Sequence, residues 1–505
     1  MSKCRVGYAH LFARRATGPR RAWCFAIDGG WNPPYSGRRA RSTSLLPAAL
    51  ALSLSCCGIA PADASEKPNI IFIFTDDQAP NTFGAAGNPS IKTPNLDRMI
   101  RGGTFFPRTY IPVPQCAPSR AAVLTGRYPH EIGVLSNTDP RLGRRPNFAT
   151  VLQRQGYRCG LVGKWHFSRH YIPHAGFRDF WVTRDKSANT EGDRYIDPLI
   201  RVGAEKHQEK GWLTDIITDY ALQFIDESSD KPFMLWLCYY APHRPLTFPP
   251  DPHLRYDPAQ VPLPRSINDN LHLKPPQQAR DMCHAMYAEQ DRAALRENIA
   301  KYYSMITALD TNVGRILGRL EQRKLDRNTL VIFMSDNGWM LGEHQLYSKG
   351  PMFYDELVRM PLIFYQPGVV PAGRRSDALV SLLDIFPTIT TLGGARKLPP
   401  HSGVDIWPLV QGKTDKVRDR LFFEYRDKKL SGTFQPMLGV VSERFKYVRY
   451  MKGGQEELYN VADDPQEMKN LVHGTAHRRE LLQHRAWLDE FAHSIDPPFW
   501  KQAPR

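Results

Sequence analysis

Cysteine is scarce in this chain: eight in 505 residues, four of them within the first 57. The others, Cys116, Cys159, Cys238 and Cys283, are scattered at spacings unlike a disulfide framework. No second Cys or His lies within a few residues of Cys116, which excludes a local zinc site. Long apolar runs are lacking as well. The best candidate, LLPAALALSLSCCGIA at 45–60, is short and broken by Ser, so no stable membrane span is expected. Internal repeats and low-complexity tracts are absent. So is any DNA- or RNA-binding signature, despite a formal charge of +16, and no nucleic-acid partner is expected. That excess of charge suits either a polyanionic partner or simple solubility.

What is present describes a globular, exported chain. A hydrophobic share of 42% with 24 Phe, 21 Tyr and 10 Trp is enough to build a large core, and the length suits about two or three domains. Residues 1–64 read as a leader. Arg38, Arg39 and Arg41 precede the apolar run, and PADA ends it before Ser65, as in a secretory signal cleaved after Ala64. A lipid anchor at Cys56 fits the preceding residues poorly. The expected location is periplasmic or extracellular.

Four apolar, β-branched or aromatic runs end abruptly in polar residues. NIIFIFTDD stops at Asp76 and Asp77, RCGLVGKWH at Lys164 and His166, PFMLWLCYYAPH at His243, and TLVIFMSDN at Asp336 and Asn337. Continuous rather than alternating apolarity suits strands buried on both faces of a mostly parallel sheet. Helical patterns lie between them. TPNLDRMIRGG offers Thr93 as N-cap, Pro94 at the first position and Gly102 at the stop. TDIITDYALQFI carries Ile216, Ile217, Tyr220, Phe224 and Ile225 on one face, and a longer stripe runs from Ile299 to Leu320. Alternating strands and helices make the fold class α/β. In such sheets ligands sit beyond the carboxyl ends of the strands, so the four polar terminations are expected at one edge. Ten prolines between Pro242 and Pro276 mark an irregular segment of the kind that borders active sites. After about residue 415 short strands and a last helix, RRELLQHRAWLDEFA, indicate a smaller α+β subdomain at 416–505, leaving 65–415 as the main domain.

Asp76, Asp77, Asp336 and Asn337 offer only oxygen, the choice of a hard cation such as Ca²⁺ or Mg²⁺. Taken alone, each pair is more often a turn or a helix cap. Alone, too, His166 and His243 would be ordinary hydrogen-bonded histidines, and Lys164 and Lys349 would be solvated. As a set they are harder to dismiss.

The stretch IPVPQCAPSRAAVLTGR, from Ile111, resembles the signature of the type I sulfatases, of the alkaline-phosphatase-like superfamily. PNIIFIFTDDQ, TPNLDRM, GKWH, PHRP, SDNGWMLGEH, SKGPMFYDELVRMPLI and ELYNVADDPQEMKNL extend the resemblance over most of the chain after residue 64. It implies that Cys116 is converted to formylglycine by a formylglycine-generating enzyme that reads Cys-x-Pro-Ser-Arg. It further implies that Asp76, Asp77, Asp336 and Asn337 bind one divalent cation, usually Ca²⁺, with the hydrate at position 116 adding an oxygen. Arg120 and Lys164 would hold that hydrate, Lys349 and His243 would face the sulfate, and His166 would assist the second hydroxyl. One hydroxyl attacks sulfur while His243 protonates the departing alcohol. The second then loses its proton, and the carbonyl re-forms with expulsion of sulfate. A helix beginning near Cys116 with Pro118 in its first turn would aim its free N–H groups at the nucleophile.

The expected activity is therefore hydrolysis of sulfate monoesters, of sulfated carbohydrates before other sulfated small molecules. Two alternatives stand beside it: a phosphoesterase or phosphonate hydrolase on the same fold, and a sulfated-glycan binding protein without catalysis. Trp165–Arg169, Arg244–Arg255 and Gln345–Arg359 are the segments expected to shape the leaving-group pocket.

Overall fold

The four apolar runs become neighbouring strands of one sheet. A computed structural model of the chain describes residues 67–498 apart from 139, 170–171, 179, 186–193, 229, 270–291 and 427–435. The expected leader, Cys56 and Cys283 lie outside the described residues. Strands β1 (Asn69–Asp76), β2 (Thr104–Tyr110), β3 (Arg158–Gly163), β4 (Phe180–Arg184), β5 (Leu199–Val202), β6 (Glu205–Gln208), β7 (Phe233–Pro242) and β8 (Thr329–Ser335) belong to this sheet. So do three strands that follow a separate β9–β10 pair (Met340–Leu341 and Tyr347–Ser348). These are β11 (Arg359–Tyr365), β12 (Arg374–Arg375) and β13 (Val380–Ser381), and the order is β12-β2-β11-β8-β1-β7-β3-β4-β5-β6 with β13 also on β2.

The central strands β8, β1, β7, β3 and β4 are parallel. Strand β11 runs against β8 and β2, and β5 and β6 are antiparallel at the far edge. Register decides where the polar ends fall. Thr75 pairs with Ser335 and Gly163 with Cys238, so the residues that follow these strands emerge side by side. Gly163 is required for this approach. Its φ is +107°, and a Cβ there would stand 1.8 Å from the Cys238 carbonyl oxygen.

Both faces of the sheet are covered, which is why the strands read as unbroken apolar runs. Ile71 and Ile73 face helices α1 (Pro94–Gly102), α5 (Leu213–Asp226) and α6 (Arg292–Gln322). Ile70, Phe72 and Phe74 face α2 (Cys116–Thr125) and α4 (Phe148–Arg154), with α3 (Pro129–Ile132) lying between those two in the chain. Thr93 stands at the N-cap of α1 as expected, its carbonyl receiving the Asp97 amide at 2.8 Å, while its hydroxyl receives the Gly84 amide at 2.9 Å and donates to Asp97 at 3.0 Å. Tyr220 packs on the core side of α5, half-buried, with its hydroxyl 2.5 Å from Glu209.

The C-terminal residues form a second, four-stranded antiparallel sheet of β14 (Arg420–Tyr425), β15 (Met437–Ser442), β16 (Phe445–Tyr450) and β17 (Glu456–Asn460), followed by α7 (Arg478–Ser494). Phe423, Tyr425 and Val441 of this sheet share one continuous core with Phe72 and Phe106 of the main sheet. No helix among the described residues is long and apolar enough to cross a membrane. Cys116, Cys159 and Cys238 are buried.

Candidate active site

Helix α2 places Cys116 at its first turn, and all ten of its residues are buried. Gln115 before it is extended, and the Ala117 amide is taken by the Asn137 side chain at 2.9 Å. The helix stops at Gly126, whose φ of +67° supplies the left-handed turn. Cys116 thus sits at the positive end of a buried helix, facing the carboxyl ends of β1 and β8.

Around its sulfur the expected residues assemble. Sγ lies 3.2 Å from Asp76 Oδ1 and 3.9 Å from Asp77 Oδ1, and Lys349 Nζ reaches it at 2.7 Å. Lys349 is also paired with Asp77, and Lys164 with Asp76. Arg120 Nε donates to Asp336 Oδ2 at 2.8 Å, and its Nη1 donates to the Lys164 carbonyl at 2.8 Å. The Asn337 amide contacts Asp77 Oδ1 at 2.5 Å. His243 stands at the mouth with its side chain one-fifth exposed, Nε2 3.7 Å from Asp77 Oδ2. His166 follows Lys164 by two residues, half-buried, in a left-handed conformation at φ +71°; Asp77 shares that conformation at +66°. Non-glycine residues held there concentrate at functional sites.

Neither lysine is solvated, contrary to what each would be in isolation: Lys164 and Lys349 are 6% and 8% exposed. Burial opposes the charge on both, but the surrounding carboxylates outweigh it and raise their pKa. Asp76 is held well below the carboxylate range, because Lys164, His243 and Lys349 overcome its burial. Asp336 goes the other way, raised by burial and by the charge of Asp76 against the pull of Arg120. Burial also pushes the Cys116 thiol above its ordinary range, with Asp76 adding to the rise. Burial lowers His243 to about 4, with Asp76 and Asp77 resisting. Its Nδ1 lies 2.7 Å from the Arg244 carbonyl, which can only accept, so Nδ1 carries the proton and Nε2 faces the centre.

The donor set fits a hard cation. The side-chain ligand atoms of Asp76, Asp77, Cys116 and Asp336 all lie within 4.8 Å of one another. The buried Asp77 Oδ2 accepts no hydrogen bond. Half a turn of the Asn337 amide would present its oxygen to the same point. A dication there would favour all three carboxylates ionised.

Several contributors are given no role by the sequence alone. Tyr302, one residue in the apolar stripe of α6, donates to the Asp77 carbonyl at 2.6 Å and receives the Ala79 amide at 2.8 Å. Ser119 Oγ donates to the Asp336 carbonyl at 2.6 Å. The buried Trp339 lies under Lys349 and Arg244, each about 5.8 Å from its ring centre. Of the segments expected to shape the leaving-group pocket, Trp165–Arg169 lines a cavity of about 310 Å³ with Lys164, Thr183, Arg184 and Tyr240. A larger cavity of about 600 Å³, beside Tyr302 and Trp339, includes Glu356 and Arg359 but none of the charged residues around Cys116.

A mostly parallel sheet of this order, with Cys116 and an acidic cluster at its carboxyl edge, belongs to the alkaline-phosphatase-like class. Residues 68–395 match the sulfatase family, and residues 342–491 match the C-terminal family of N-sulphoglucosamine sulphohydrolase. The chain belongs to the sulfatase family and is a sulfuric ester hydrolase. It is 29% identical to an N-acetylglucosamine-6-O-sulfatase of Bacteroides thetaiotaomicron, over 88% of this chain and 89% of that protein. It is 27% identical to a Δ4,5-hexuronate-2-O-sulfatase of the same organism, over 87% and 92%. A solved structure of a protein in complex with its substrate D-glucosamine-2-N,6-O-disulfate superposes with a TM-score of 0.78 at 25% identity, covering 86% of this chain and 100% of that one. The phosphonate monoester hydrolase of Agrobacterium radiobacter shares the fold, with a TM-score of 0.69 at 23% identity over 85% and 96%.

Proposed function

We propose that this sulfatase acts on sulfated carbohydrates, with residue 116 as formylglycine and one divalent cation, Ca²⁺ before Mg²⁺. The observation that carries the reading is the placement of Cys116 Sγ, 3.2 Å from Asp76 and 2.7 Å from Lys349, on a cradle of three carboxylates. In the active protein Sγ marks the position of a formylglycine oxygen. Hydrated, that group would supply an oxygen nucleophile and a second hydroxyl through which sulfate is released. Asp76, Asp77, Asp336 and Asn337 would hold the cation, which would neutralise charge on the sulfate when bound.

The residues of the chain divide the remaining work. Arg120 and Lys164 hold the hydrate, and Lys349 bears on the sulfate, all without reorganising. His243, once Nε2 is protonated under the charge of a bound sulfate and against its lowered pKa, delivers that proton to the departing sugar oxygen; His166 takes one from the second hydroxyl. The relatives named for sugar sulfates, at N-acetylglucosamine and hexuronate, support the carbohydrate substrate. The basic, Ala-x-Ala-ended segment supports export to the periplasm or beyond, with 1–64 as leader, 65–415 as catalytic domain and 416–505 as subdomain.

Peptide mass spectrometry of protein made with a formylglycine-generating enzyme should show the sulfur of residue 116 replaced by aldehyde oxygen. Sulfate release from saccharide sulfates should vanish on chelation and return with Ca²⁺. Full turnover by protein carrying only unmodified Cys116 would sink the reading.

A further inference from the structure

Beside the centre stand two arginines, Arg184 and Arg194, that form no ion pair among the described residues. Arg184 ends β4, at the same sheet edge as Lys164 and His166, and lines the 310 Å³ cavity with them. Its amide donates to the Tyr240 hydroxyl at 3.2 Å. Arg194 reaches the centre from the other side, with Nη1 3.4 Å from His243 Nδ1. Its position is fixed by its neighbour: the Tyr195 hydroxyl lies 3.0 Å from the Tyr240 carbonyl and 2.5 Å from that of His243. Because the proton on Nδ1 goes to the Arg244 carbonyl, Arg194 finds no lone pair on that nitrogen.

The nearby acid is already taken. Asp185 is shared by Arg169 at 3.0 Å, Arg201 at 2.6 Å and Lys206 at 3.7 Å, three cations on one carboxylate. Among the described residues neither Arg184 nor Arg194 has a carboxylate partner. Burial holds the Arg184 guanidinium below its ordinary range, and the charge of Arg194 adds to the effect. One part-buried guanidinium, Arg184, lines the cavity beside Lys164, and a second, Arg194, stands against His243; both are planar, multidentate donors suited to an oxyanion.

We propose that Arg184 and Arg194 form a second anion subsite, so that the preferred ester carries a further carboxylate or sulfate on its leaving group. This rests on the sulfatase reading of the Cys116 centre. It makes the substrate an acidic saccharide with at least two negative groups, one cleaved and one held.

The test uses the full-length, formylglycine-bearing enzyme and two matched pairs of saccharide sulfates. One pair differs only by a neighbouring carboxylate, the other only by a second sulfate. The expected result is a preference of about tenfold or more in kcat/KM for the doubly anionic member of at least one pair. Arg184→Gln and Arg194→Gln should each shrink that ratio, chiefly through KM, and the combined variant should bring it near one. Which pair shows the effect identifies the second anion. No preference in the wild-type enzyme would overturn the proposal, and so would variants that lose equally on both members of each pair. Calorimetric binding of the same saccharides separates the two readings. A preference in binding without any turnover would keep the subsite and sink the sulfatase chemistry; turnover without the preference would do the reverse.

Discussion

Two places in this molecule bury lysines against carboxylates, and they do different things. In the C-terminal sheet Lys446, fully buried, gives 2.7 Å bonds to both Asp355 and Glu467. Glu467 also receives the Asp355 amide at 2.7 Å, and Arg359 takes the other Asp355 oxygen at 2.6 Å. Every charge in that cluster has a partner, and the result fastens β16 to the short helix Asp355–Val358 that leads into β11. At the carboxyl edge of the main sheet Lys164 and Lys349, also buried, meet Asp76 and Asp77, but beside a third carboxylate and a cysteine whose ligand atoms converge with theirs within 4.8 Å. A buried charge cluster is structural when its partners close on one another. It is chemical when they leave a gap shaped for an ion and a reacting group.

The comparison breaks most sharply at Cys116. Cys116→Ala should cut sulfate-ester turnover by about 10⁴-fold or more while leaving the melting temperature little changed; unfolding alongside inactivity would place Cys116 among structural residues. The two lysine clusters separate next. Lys446→Met removes the cation between buried Glu467 and Asp355, leaving Asp355 with Arg359 alone, and should cost about 3–5 kcal/mol in urea unfolding, whatever the calcium concentration. Lys349→Met should lose activity by roughly 10²–10³-fold, and added Ca²⁺ should restore most of its stability by compensating the same carboxylates. An identical calcium response in both variants would erase the distinction.

His243 sharpens the chemistry within the catalytic cluster. A sugar alkoxide needs a proton as it leaves, whereas nitrophenolate departs as a stable anion. His243→Ala should therefore lower kcat/KM on a sugar sulfate by about 10²–10⁴-fold and spare much of the nitrophenyl sulfate rate. Equal losses on both would leave His243 as a sulfate ligand only.

The smallest effect belongs to the seam between the two sheets. His130 Nδ1 contacts Glu424 at 2.5 Å, and although burial pulls His130 down, Glu424 outweighs it and raises its pKa above 6.5. The ion pair is then complete below about pH 6.5, the unfolded value, and its stabilisation is lost as pH rises through the folded value. His130→Gln should cost roughly 1–2 kcal/mol near pH 6 and distinctly less near pH 8.5. A pH-independent cost would mean that His130 acts through packing alone, for instance against Phe491.

Much of the site was legible because its strands are buried on both faces. An apolar run that ends in Asp-Asp, Lys-x-His or Asp-Asn names both a strand and the residues that leave it. The Cys-Ala-Pro-Ser-Arg motif then gave the chemistry a family. Arg184 and Arg194 were not legible, because an arginine at a strand end or in a connecting segment is ordinary until its neighbours in space are known. Tyr302 was hidden for the opposite reason, inside an apolar stripe where it reads as core.

The sequence alone determined the α/β class, the polar strand ends and the residue types around position 116, since these depend on local periodicity and on motifs. Only the tertiary structure decided that Asp77 meets Asp336 and Asn337 across 259 and 260 residues, and that Lys349 closes on Asp77 across 272. Strand order and register set those meetings, and both are products of long-range pairing that no local pattern encodes. The same long-range packing removes water from Lys164 and Lys349, turning two residues that would be solvated in isolation into fixed charges at the centre.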